Sequence, residues 1–160
     1  MITKISFFFI AFFPHFILSQ IQWEFKNPLP QIDLNSVFFV NPNTGFVCGI
    51  SGSIYKTTNG GENWNQKNSS SFSNLNSVWF FNSSNGIIIG DTGTMLFTSN
   101  SGENWIIQNP ITTLNLRKIY FLDNNNIFII ASNGTIFKST NLGNNWNNTQ
   151  ISTNEIYEMD

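Results

Sequence analysis

The octet T-T-N-G-G-E-N-W at Thr57 to Trp64 returns as T-S-N-S-G-E-N-W at Thr98 to Trp105 and as S-T-N-L-G-N-N-W at Ser139 to Trp146, each time 41 residues further on. A repeat of constant period constrains this chain more than any other feature, because one supersecondary unit must then build the fold by stacking on copies of itself. The same offset aligns three apolar runs ahead of each octet. Leu34, Leu75 and Leu116 open the first, which continues as Val37-Phe38-Phe39-Val40, Val78-Trp79-Phe80-Phe81 and Ile119-Tyr120-Phe121-Leu122. The second is Phe46-Val47-Cys48-Gly49, Ile87-Ile88-Ile89-Gly90 and Phe128-Ile129-Ile130-Ala131. The third is Ile54-Tyr55-Lys56, Met95-Leu96-Phe97 and Ile136-Phe137-Lys138. Short β-branched and aromatic runs read as strands, and the first two runs, apolar on both faces, read as strands covered from both sides. A more polar fourth strand follows each octet, as at Trp64 to Lys67.

Four short antiparallel strands in about forty residues are the arithmetic of a β-propeller blade. The sequence therefore predicts an all-β chain with blades over 34–68, 75–109 and 116–150. Punctuation by Gly and Asn, and the absence of a 3.6-residue apolar period, exclude a helical solenoid. Trp23 lies one period before Trp64, so residues 22–27 are expected to be an outer strand without its own blade. Tyr157 takes the place of Leu116, so 155–160 is expected to begin a further blade. Three blades fall short of the roughly four to eight that close a ring. The expectation is an incomplete ring, the front part of a longer propeller with further blades in the same chain.

Residues 1–19 have a different character. One cation, Lys4, precedes the apolar run Ile5 to Phe13, then Pro14 and a second short apolar stretch before Ser19. This is the layout of a secretory signal peptide cut after Ser19, and the unbroken run is too short for the roughly 20 residues of a spanning helix. The expected product is secreted, periplasmic or on the cell surface, without membrane insertion after cleavage. The chain's one histidine, His15, would leave with the leader.

The pattern S/T-x-D/N-x-G-x-x-W resembles the Asp-box, or BNR repeat, of sialidases, sortilin-type receptors, xyloglucan-cleaving enzymes and the photosystem II stability/assembly factor family. The phrase T-x-N-G-G-x-N-W, preceded by G-x-I-Y-K-T, is most similar to the last of these, and the resemblance runs from Trp23 to about Tyr157. It implies a hairpin turn between the third and fourth strands of each blade. The residues suit that role. Asn59, Asn100 and Asn141 can accept a backbone N–H, Gly61, Gly102 and Gly143 can adopt positive φ, and Thr57, Thr98 and Ser139 supply a hydroxyl. Trp64, Trp105 and Trp146 are expected to cover the turns. All three boxes carry Asn where the family more often has Asp. For the assembly-factor branch the resemblance implies a lumenal or periplasmic propeller that helps to assemble photosystem II.

The chemical inventory is short. A net charge of −2 supplies no basic surface for nucleic acid. Sialidase chemistry needs an arginine cluster, and Arg117 is the single arginine; Ser-His-Asp chemistry fails once His15 is gone. Clustered metal ligands are absent from the pattern, Gly90-Asp91-Thr92-Gly93 has no helix start to hold a phosphate, and no cofactor is expected. Cys48 stands where Ile89 and Ile130 stand and reads as a buried apolar position. Asp33 and Asp91 depart from their repeat equivalents, as do Arg117 and Lys118, which occupy the places of Asn35-Ser36 and Asn76-Ser77 at the start of a first strand. Arg117, Lys118 and Asp91 are therefore the candidate binding residues, with no catalytic residue assigned. The expected function is an exported, non-catalytic scaffold for a protein or polysaccharide partner. The alternative is part of a secreted glycoside hydrolase whose paired acids lie partly outside this segment.

Overall fold

A computed structural model of the chain describes residues 31–123, 126–152 and 154. The expected leader (1–19), outer strand (22–27) and next-blade segment (155–160) lie outside the described residues. The described chain forms twelve strands in three antiparallel four-stranded sheets, each in simple sequential order. The first sheet is β1 (Leu34–Phe39), β2 (Gly45–Gly49), β3 (Ile54–Thr57) and β4 (Asn65–Lys67). The second is β5 (Leu75–Phe80), β6 (Gly86–Gly90), β7 (Met95–Thr98) and β8 (Ile106–Ile107). The third is β9 (Leu116–Asp123), β10 (Asn126–Ala131), β11 (Thr135–Ser139) and β12 (Asn147–Gln150). This is the all-β, bladed architecture that the 41-residue period predicts, and the three sheets do not close a ring.

Two cores lie between the sheets. Phe46, Cys48 and Ile54 of the first sheet meet Leu75, Val78, Phe80, Ile88 and Leu96 of the second. Ile87, Ile89 and Met95, on the other face of that second sheet, meet Leu116, Ile119, Ile127, Ile129 and Phe137 of the third. Alternation on a strand has period two, so β6 sends Ile88 into one core and Ile87 and Ile89 into the other. That is why its sequence is apolar without a break. All three isoleucines are fully buried, each stabilising the fold by about 1.5–3 kcal/mol.

The turns after β2, β6 and β10 need glycine. Gly52, Gly93 and Gly134 have φ of 71°, 72° and 62°. A Cβ at any of them would fall well inside contact distance of the Ser71, Thr112 or Ser152 carbonyl oxygen. The loop leaving each outer strand can therefore lie directly on the turn, where Gly52 N–H donates to Ser73 O and Gly93 N–H to Leu114 O, both at 2.8 Å.

One expectation is corrected. The first apolar run was expected to be covered on both faces in every blade, and β5 has that character, but β1 exposes Leu34, Val37 (61%) and Phe39. The reason is positional. Phe38 and Val40 point towards the second sheet and are partly buried there, whereas on the opposite face Val47 and Tyr55 of the inner strands are buried and the edge strand β1 is left exposed. Its hydrophobic residues are those of a blade interior.

Candidate functional site

The octets fold identically three times. In each, the hydroxyl of Thr57, Thr98 or Ser139 donates to Oδ1 of Asn59, Asn100 or Asn141 at 2.9–3.1 Å. The same hydroxyl oxygen accepts the N–H of Gly61, Gly102 or Gly143 at 2.9–3.0 Å. Oδ1 of each Asn accepts the N–H four residues on, at Asn63, Asn104 and Asn145. Two consecutive residues of each turn take positive φ: Gly60-Gly61, Ser101-Gly102 and Leu142-Gly143. The sequence signalled only the second of each pair, because Ser101 and Leu142 do not advertise a left-handed backbone.

The indoles are used differently. Trp146 Nε1 donates to Gly143 O at 2.9 Å, closing its own turn. Trp105, 5% exposed, stands edge-on to the rings of Phe46 and Phe80, and its Nε1 has no hydrogen-bond partner. These networks consume the hydrogen-bonding groups of the boxes in holding hairpins, which is an architectural use.

The starts of the inner strands behave otherwise. Asn35 Nδ2 donates to Leu75 O of the next sheet at 2.9 Å, and one period later Asn76 Nδ2 donates to Leu116 O at 2.8 Å. Ser36 Oγ accepts the Val78 N–H at 3.2 Å, and Ser77 Oγ the Ile119 N–H at 3.3 Å. An Asn-Ser pair thus stitches each of the first two blades to its successor. Buried or half-buried backbone groups that no sheet ladder serves are satisfied in this way. Sequence reasoning missed this role, although Asn-Ser recurring one period apart, immediately before an apolar run, was the available signal.

In the third blade this dipeptide is Arg117-Lys118, and the pattern changes the surface there. Asn35, Ser36, Asn76, Ser77, Asp91, Asn115, Arg117 and Lys118 line one open cavity of about 560 Å³. The three binding candidates are therefore brought together. Arg117 and Lys118 are half-buried, and Lys118 Nζ sits 5.4 Å from the centre of the Tyr120 ring. Asp91 is held from both sides, its Oδ2 by Asn74 Nδ2 at 3.0 Å and its Oδ1 by Asn76 Nδ2 at 2.9 Å. Its carboxylate thereby fixes the Asn76 amide that stitches the second and third blades. Asp91 belongs to the wall of the cavity more than to a reacting pair, and it is the one acid among the lining residues.

Elsewhere the chemistry is muted. Cys48 is fully buried, and burial pushes its thiol up to about 12, so it is an inert core side chain. Among the described residues no three His, Cys, Asp or Glu side chains cluster as metal ligands, and no helix is long and apolar enough to cross a membrane.

Comparisons with known proteins agree with this architecture. No curated protein matches the sequence. The solved structure of YCF48 bound to D1 peptide superimposes with a TM-score of 0.64 at 25% identity, covering 73% of this chain and 40% of that one. YCF48 from Cyanidioschyzon merolae gives 0.66 at 25% identity, with 78% and 42% covered. The chain thus spans about two fifths of the length of these relatives. A GH74 enzyme from Niastella koreensis gives 0.55 at 18% identity, covering 68% of this chain and 19% of that one, a likeness of fold alone. The family model of the photosynthesis system II assembly factor YCF48 matches residues 17–155, nearly the whole chain, and with the repeats, the three blades and these neighbours in agreement the chain belongs to that family.

Proposed function

We propose that the chain is a non-catalytic binding module that engages a protein partner in photosystem II assembly through the polar cavity at the starts of its inner strands. The observation that carries this reading is the replacement, in one blade only, of the stitching Asn-Ser pair by Arg117-Lys118, which puts two cations beside a cavity of about 560 Å³. Repeat positions that exchange neutral polar side chains for charge are where a scaffold acquires specificity. Guanidinium and ammonium groups suit carboxylates and peptide carbonyls, and the related YCF48 structure holds a D1 peptide. A single lining acid, already bridged by two amides, supports binding over hydrolysis, which needs a second carboxyl group across the cleft. The leader-like layout of residues 1–19 supports export, with action in a lumen, periplasm or extracellular space.

The test is binding of a fluorescent D1 peptide to the chain. R117A/K118A should weaken it by about ten- to a hundredfold, with the effect growing at low salt. Unchanged affinity in that variant, or no binding by the parent chain, refutes the assignment.

A further inference from the structure

The junction between neighbouring blades occurs twice in the described chain, and its outer rim is built in two ways. Between the first and second blades Lys56 Nζ donates to Ser101 O and to Glu103 Oε1, both at 2.7 Å, while Lys67 Nζ donates to Glu103 Oε2 at 2.6 Å. This is an ionic seal. One period later the four corresponding positions are Phe97, Leu142, Asn144 and Gln108. Every charge has gone, and two cavities of about 450 and 370 Å³ open, sharing Phe97, Gln108 and Asn144 as a common wall. No lining residue of either cavity is ionisable at neutral pH. Around them polar repeat positions have turned aliphatic: Ile106, 63% exposed, replaces Asn65, and Leu142, 46% exposed, replaces Ser101. Leu142 holds this place with a φ of 56°, a conformation that opposes a large side chain.

We propose that this groove, distinct from the polar cavity, docks an extended, uncharged segment of a partner protein that seats alternate side chains, at least one of them aliphatic or aromatic, in the two adjoining cavities. Residues i and i+2 of an extended chain lie on one side about 6.6 Å apart, so successive side chains on that side can enter adjoining cavities. The carboxamides of Gln108 and Asn144 can both donate and accept, as the N–H and C=O groups of a peptide require. A charged segment would lose its hydration with no countercharge in the lining. β8 is the last strand of its sheet and only two residues long, so its outer edge carries no strand among the described residues, and an incoming strand can lie beside it.

The second junction can be converted into the first. F97K/Q108K/N144E installs the ionic seal across the groove, and L142S restores the small polar residue of the other junction. The probe is a library of random peptides displayed on phage, selected on the full chain, with the enriched sequences synthesised and their affinities measured by fluorescence polarisation. Enriched peptides should be uncharged, with apolar residues at i and i+2. The seal variant should weaken them by at least about tenfold while keeping its melting temperature, and R117A/K118A should leave them unchanged. Should the triple variant fail to fold, the loss of affinity in L142S decides. The proposal is overturned by an absence of enrichment, by charged consensus sequences, by affinity unchanged in the folded seal variant or in L142S, or by a neutral oligosaccharide such as cellohexaose binding in place of peptides and being lost in the same variants.

Discussion

Replacing Thr98 by Val keeps the shape of a side chain that is 5% exposed and removes only its hydroxyl. That oxygen accepts the Gly102 N–H at 3.0 Å and, more weakly, the Asn100 N–H at 3.4 Å, and donates to Asn100 Oδ1 at 3.0 Å. The losses on Asn100 and on Gly102 differ in size. Asn100 is exposed, so its Oδ1 turns to water, and the exchange costs about 0.5–1.5 kcal/mol. Gly102 is buried, and with Phe46 packed where its Cβ would be, the turn cannot open to admit water. Its stranded N–H adds about 1–3 kcal/mol. The total is about 1.5–4.5 kcal/mol, which for a chain of this size, at about 2–4 °C per kcal/mol, lowers the melting temperature by roughly 3–18 °C. Thermal and urea unfolding followed by tryptophan fluorescence measures it. T98S retains the hydroxyl and gives up one methyl, so it should cost about 0.8 kcal/mol. If T98S were as damaging as T98V, packing of the methyl group would hold the turn, and the hydrogen-bond argument would fall.

Two further outcomes follow from the same geometry. W146F breaks a bond to Gly143 O and should cost about 1–2 kcal/mol from the hydrogen bond; an unchanged stability in chemical unfolding would contradict the assigned role of that indole. Hydrogen bonds from Lys56 and then Lys67 hold the Glu103 carboxyl at about 2, below its usual 4.5. A depressed carboxyl stabilises the fold fully above the ordinary value and loses that contribution as the pH falls through the depressed one. The difference in melting temperature between the parent chain and E103Q should thus be constant above about pH 5 and vanish towards pH 2; a difference independent of pH would show that the ion pair contributes nothing.

Much of the fold was legible because the blade is a local object. Alternation on strands, the glycines after β2, β6 and β10, and the octets all act within forty residues, and a period of 41 exposes them three times over. What escaped depends on the neighbouring blade. The exposure of Val37 and Phe39 cannot be read from their side chains, which are those of a covered strand. The stitching by Asn35 and Asn76 joins groups 40 residues apart and leaves no local pattern beyond a recurring amide. Of the candidate site, Arg117, Lys118 and Asp91 were found by their departure from the repeat, and the structure gathers them in one cavity. The same test applied to Lys56, Lys67 and Glu103 would have marked the ionic seal, since none of the three keeps its identity throughout the repeat.

The Asn-Ser stitches have a direction. In both, the side chain belongs to the earlier blade and the backbone group it serves to the later one, some forty residues downstream. A chain emerging from the ribosome therefore presents each amide well before the Leu carbonyl that satisfies it. Cohesion advances from the amino end like a zip whose every tooth waits for the next, and a blade is finished only when its successor has been made.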